Sequence, residues 1–179
     1  MKEFDMSITN MDDQEYEGSY VRCVLFRLDT ESYGVNVQNV REVLRVGEIR
    51  PVPGAPYDVL GVINVRGVIV SVLDTRQFFK LPSSSLTDLS RIIIVEQQGQ
   101  ALGLLVDEVK EVRDIQEEGI DAISAVGDDS SNRMIQGVSH SADEGVIIII
   151  DSMKFFDSQP SGGFMVSPSV SAGGDDDLF

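Results

Sequence analysis

The residue types that most often carry chemistry are scarce in this chain, and none stands beside a group that would assist it. His140 is the one histidine, in a Ser-His-Ser-Ala-Asp stretch with no second histidine to complete a metal-ligand spacing. Cys23 is the one cysteine, which excludes an internal disulfide; it lies in the apolar stretch Tyr20 to Leu28, where packing is expected and an activated thiolate is not. No Gly-rich phosphate loop ends in Lys-Ser or Lys-Thr, and no G-x-S-x-G elbow presents a nucleophile. The acid clusters Asp107-Glu108 with Glu111, and Asp128-Asp129, lack the spacing and the glycine of a calcium loop and read as solvated surface. The inventory predicts no catalysis, no metal and no cofactor.

One stretch carries a different kind of chemistry. Gly61 to Asp74, GVINVRGVIVSVLD, reads as a β-hairpin whose turn is Arg66-Gly67, with apolar residues holding both strands in a core. A plain turn accepts Asn or Lys at position 66. An arginine fixed on a rigid tip suits recognition of a carboxylate through paired hydrogen bonds, with Glu42 as an internal partner.

The elements that must position this tip follow from composition and pattern. The 179 residues, 42% hydrophobic, suffice for one domain or two small ones, and 30 acids against 14 Lys plus Arg give a net charge of -16. That charge disfavours nucleic acid and anionic membrane surfaces. No apolar run approaches a membrane span, and the acidic start lacks a signal-peptide pattern, so a cytoplasmic protein without membrane insertion is expected. Residues 1–18 hold six acids and one Lys, and residues 157–179 hold four acids and no base; both read as disordered acidic tails around a folded domain at 19–156.

Within that domain, short Val- and Ile-rich runs broken about every ten residues predict a mostly β fold. Strands are expected near 20–28, 32–37, 60–65, 68–74, 91–96, 101–106, 134–139 and 145–150. Helical pieces are expected at Gln38 to Arg45, where Val40, Val43 and Leu44 fall at i, i+3, i+4, and at Thr75 to Phe79 and Ser152 to Phe156, each after an aspartate cap. The chain also contains an imperfect duplication. Phe26 to Val43 lies over Val95 to Val112, matching Gly34 with Gly103, Val40 with Val109 and Glu42 with Glu111; Gly67 to Phe79 lies over Gly145 to Phe156, matching Asp74 with Asp151. About five strands per half predict two similar small barrels as interleaved subdomains, side by side with a groove between them where partners dock.

At the hairpin, NVRGVIVSVLDTR at 64–76, the sequence resembles the CheW family of bacterial chemotaxis coupling proteins. The family pattern is Asn-Leu-Arg-Gly, an apolar run with Pro-Val or Pro-Ile, then Asp-Leu-Arg; Ser71 stands here for the proline and Thr75 for a leucine. VREVLR at 40–45, GVINVRG at 61–67, GLLVDEVKEV at 103–112 and IQGVSHSADEGVIIIID at 135–151 extend the likeness across residues 20–156. The resemblance implies two SH3-like five-stranded barrels with short helices, no enzymatic activity, and an adaptor that couples the cytoplasmic tips of methyl-accepting receptors to the regulatory domain of the histidine kinase CheA. It implies a receptor surface at Val40, Glu42, Gly61 and Arg66, and a kinase surface near Gly103, Asp107 and Val109.

Two other readings compete. One keeps the fold and moves the adaptor to a type IV pilus or other chemosensory pathway; the other uses the acidic surface for ion binding or catalysis. The run Asp175-Asp176-Asp177-Leu178-Phe179 also resembles the tail of bacterial single-stranded DNA-binding proteins and other short docking peptides, although acidic runs most often only solvate a chain.

Overall fold

The computed structural model describes residues 18–123 and 130–157. The tail assignments lie outside those residues, apart from Gly18 and Asp157. Among the described residues are eleven strands: β1 Tyr20–Leu28, β2 Glu31–Asn36, β3 Val40–Arg45, β4 Val59–Val65, β5 Val68–Asp74, β6 Arg91–Gln97, β7 Gln100–Val106, β8 Glu108–Gln116, β9 Ile120–Asp121, β10 Ile135–Ser141 and β11 Gly145–Ile150. Three one-turn helices join them, α1 Thr75–Phe78, α2 Ser130–Arg133 and α3 Lys154–Asp157.

The strands form two sheets, ordered β8-β1-β2-β11-β10-β9 and β3-β6-β7-β5-β4. Each sheet mixes the duplicated halves. The β1–β2 hairpin of the first half pairs with β8 and, in parallel, with β11, while the β6–β7 hairpin of the second half pairs with β3 and, in parallel, with β5. The halves have therefore exchanged their first hairpins, and neither folds into a barrel from its own strands alone. The matched glycines show why the register is fixed. Gly34 sits opposite Ile149 and Gly103 opposite Val72, and a Cβ on Gly103 would come within 2.8 Å of the Ile92 side chain.

The exchange explains the unbroken apolar runs. In β1, Cys23 and Leu25 face one barrel interior, with Ile115, Ile147 and Ile149, whereas Val24, Phe26 and Leu28 face a central layer. In β6, Ile92 and Ile94 fill the other barrel, and Ile93 and Val95 face the same central layer. Strands buried on both faces lose the polar alternation that a one-sided sheet keeps. The central layer draws residues from both sheets and includes Phe78 and Phe155, whose rings lie 4.9 Å apart. The expected open groove between barrels is thus replaced, along this seam, by packed apolar side chains.

The helix expected at Gln38 to Arg45 is instead a single 3-10 turn, Val37–Asn39, followed by β3. A bulge between Val40 and Glu42 places Val40 and Val43 on one face, opposite Val95 and Ile93, so a strand reproduces helical spacing. The same irregularity in β8 aligns Val109 with Phe26 and Val112 with Val24. That strand, EVKEVRDIQ, escaped the sequence reading because its bulge and charges hide the alternation.

Asp74 caps α1 as expected, while the helix expected from Ser152 starts at Lys154, with Asp151 closing the turn that precedes it. Asp74 accepts a hydrogen bond from the Gln77 amide and Asp151 from the Met153 amide. The residues just after them, Thr75 and Ser152, are fully buried, and their hydroxyls have no hydrogen-bond partner among the described residues. An unsatisfied buried hydroxyl costs about 1–3 kcal/mol. Thr75→Val, which keeps the shape, is expected to raise stability by about 1 kcal/mol, read as an increase in the urea midpoint at unchanged slope.

Candidate docking site

The β4–β5 turn is a two-residue loop in which Arg66 has φ 51° and Gly67 φ 85°. A left-handed conformation is natural for Gly and tolerated by Asn, but it is uncommon for a long side chain. The Asn64 side chain accepts from the Gly67 amide at 2.8 Å and closes the turn. Arg66 is thus held where backbone preference would choose another residue, and its side chain is the reason to look for a function there.

That side chain reaches β3. Its Nη1 and Nη2 donate to the two carboxylate oxygens of Glu42 at 2.7 and 2.9 Å, the fork-to-fork pairing expected from the sequence. Arg66 is 72% exposed and Glu42 only 17%. The glutamate fixes the arginine's direction from beneath and leaves its outer face exposed.

Gly61 does not share that exposed surface. It is buried with φ 153°, and a Cβ there would stand 2.2 Å from the Arg50 carbonyl oxygen. Arg50 and Val62 exchange two backbone hydrogen bonds at 2.9 Å beside it. Gly61 therefore positions the hairpin from within. Val40 is half-buried and packs against the central layer next to Glu42.

The three residues expected to face a kinase are spread differently. Gly103 is buried, and Val109 packs against the central layer. Asp107 is drawn inward: its carboxylate accepts from Arg76 Nε at 2.8 Å, Arg76 Nη2 at 2.6 Å and the Asp29 amide at 2.7 Å. Its own amide donates to the Arg27 carbonyl, and Arg76 donates to the Pro82 carbonyl. This cluster ties the β1–β2 turn of one sheet to α1 and β7 of the other. Arg76 and Asp107 are only 12% and 21% exposed, and with 31 positions separating them no motif or periodicity marks them as a pair.

Burial pulls the Asp107 carboxyl up, but the hydrogen bonds from Arg76 and the Asp29 amide outweigh it and hold it below the usual carboxylate range. A depressed folded-state value stabilises the protein above the ordinary carboxyl pKa of about 4 and loses that stabilisation as pH falls through it. Arg76→Met is expected to cost about 1.5 kcal/mol at neutral pH, with the gap to the parent narrowing below about pH 4. Urea unfolding at several pH values checks this.

The duplicated tip in the other barrel has the opposite polarity. The β10–β11 turn carries Asp143 and Glu144. Arg113 of β8 binds Asp143 at 3.0 and 2.7 Å, and Lys110 binds both oxygens of Glu144 at 2.7 Å. Glu144 also accepts from Ser32 Oγ, and these contacts hold both carboxyls below their usual range. One barrel presents an arginine at its tip and the other presents acids that are already engaged.

The remaining reactive groups are placed simply. Cys23 is buried, which pushes its thiol up to about 11, and His140 is an exposed strand residue opposite Val146. A hollow of about 640 Å³ beside Tyr20, Val37, Gln38 and Glu117 contains the Arg22–Asp114 pair at 2.7 Å, without a nucleophile and base in reach of each other. Among the described residues no three His, Cys, Asp or Glu side chains gather as a metal site. No helix among them is long and apolar enough to cross a membrane.

A family model for the CheW-like domain matches residues 22–159, nearly the whole of the two-sheet body. The chain belongs to the CheW-like domain family. Among its relatives, the chemotaxis protein CheW of Treponema pallidum is 27% identical over 147 residues, covering 77% of this chain and 83% of that protein. CheW of Bacillus subtilis is 32% identical over 101 residues, covering 56% of this chain and 65% of that one. The crystal structure of the scaffolding protein TtCheW from Thermoanaerobacter tengcongensis superposes with a TM-score of 0.68 at 34% identity, covering 76% of this chain and 88% of its own. The fold is thus the one the family resemblance implied, with the first hairpins of the two halves exchanged between the sheets.

Proposed function

We propose that this CheW-like chain is a non-enzymatic adaptor that couples methyl-accepting chemotaxis receptors to the histidine kinase CheA and so supports control of kinase activity. The observation that carries this reading is Arg66, kept in a left-handed turn and aimed outward by Glu42 on a scaffold whose relatives are named as chemotaxis and scaffolding proteins. Arg66 and Glu42 form the receptor-facing recognition group, supported by Val40 and Gly61. Gly103, Asp107 and Val109 shape the kinase-facing side from within, by fixing β7 and the start of β8. The adaptor works in the cytoplasm at receptor arrays and needs no cofactor.

The test is reconstitution. Receptor-bearing membranes and CheA are mixed with or without the purified chain, and both co-sedimentation of the kinase and its phosphorylation rate are measured. The chain is expected to bring the kinase down with the membranes and make its rate follow receptor ligand, while taking up no phosphate. Kinase behaviour unchanged by the chain, or stoichiometric phosphate on it, overturns the reading.

A further inference from the structure

Strand β3 ends its sheet, and the exposed end of the face it shares with Ile93 of β6 carries an arrangement that the Arg66 site does not use. Arg45 stands directly opposite Arg91 of β6, and Val43, two residues along on the same face, is 39% exposed. Like charges in register across a strand pair repel. Arg91 donates to the backbone carbonyls of Asp88 and Ser90, and neither guanidinium meets a carboxylate among the described residues. In a chain with 30 acids and 14 basic residues, two facing arginines beside an exposed valine form a site for an anionic and apolar ligand.

The chain contains such a ligand. We propose that Asp175-Asp176-Asp177-Leu178-Phe179 docks on this face of its own molecule, with the aspartates between Arg45 and Arg91 and the apolar pair against Val43. Reach is sufficient. Eighteen positions separate Asp157 from Asp175, and a chain of that length with random-coil statistics has a root-mean-square span of about 23 Å. A folded body of this size has a radius of gyration of about 14 Å. Tethering supplies an effective concentration of about millimolar, so a weak contact suffices. The docked segment lies along the strand that also carries Glu42, and the inference does not depend on which partners the Arg66 site binds.

The experiment compares amide nuclear magnetic resonance spectra of the full chain with three full-length variants. Asp175→Asn, Asp176→Asn and Asp177→Asn combined should shift the amides of Val43, Arg45 and Arg91; Leu178→Ser should shift the same amides less. Arg45→Glu, an exposed change, should shift the resonances of residues 175–179. All three effects should vanish in about 0.5 M salt and be independent of protein concentration. Superimposable β3 and β6 amides in the aspartate variant, or tail resonances indifferent to Arg45→Glu, overturn the proposal. Shifts that grow with protein concentration also overturn it, since the segment then reaches a second copy.

Discussion

Gly61→Val is expected to lower stability by about 3 kcal/mol or more and to drop the melting temperature by about 10 °C. The new side chain has nowhere to go. Its Cβ alone would lie 2.2 Å from the Arg50 carbonyl oxygen, 2.6 Å from its carbon and 3.0 Å from the Pro51 Cα, all backbone atoms of a segment locked to Val62 by two hydrogen bonds. A flexible side chain could move aside; this backbone can move only by giving up that pairing. The φ of 153° adds strain for any residue with a Cβ. Gly67, with open space around it, is the control: Gly67→Ala meets only the conformational penalty and should cost about 1 kcal/mol. Differential scanning calorimetry of both variants decides the matter, and a Gly61→Val protein melting like its parent would show that the 50–51 segment does not hold that position in solution.

Arg66→Asn should separate stability from function. Asparagine suits the left-handed turn better than arginine, which offsets the loss of the exposed pair with Glu42, so the melting temperature should stay within a few degrees of the parent. Binding to receptor should nevertheless weaken by about 2 kcal/mol, roughly thirtyfold, because a charge-assisted contact is removed at an interface. Glu42→Gln, which leaves Arg66 charged but frees its direction, should give a smaller loss. Unimpaired receptor-dependent activation with Arg66→Asn would reduce Arg66 to a turn residue.

The sequence was informative where local rules decide. Strand positions in the apolar runs, the aspartate hydrogen bonds at 74 and 151 and the Arg66-Gly67 turn depend on near neighbours or on a hairpin whose register its turn dictates, whereas the Arg66–Glu42 pair, 24 residues apart, was suggested only by complementary charge. It was silent where long-range pairing decides. The duplication was visible as matched residues, but which half's hairpin completes which sheet depends on contacts between β3 and β6 and between β1 and β8, which no periodicity encodes. Bulges hid β3 as a helix and β8 altogether, since one extra residue turns period two into an apparent i, i+3 spacing. Asp107 looked like a surface acid because its arginine lies 31 residues away, and Gly103 looked available because a glycine carries no mark of burial.

The exchange of hairpins also sets the order in which a nascent chain can become native. The sheet containing Arg66 closes only when β7 is available, at Val106. The other sheet needs β11, ending at Ile150, although its central strands β1 and β2 are the first to be made. Those two strands must wait for nearly the whole domain with both apolar faces exposed. Long-range pairing of this kind slows folding and leaves strand edges open to aggregation during synthesis. Cutting the chain in the 81–90 connection should therefore yield two fragments that are insoluble apart and complement each other together, instead of two independent barrels.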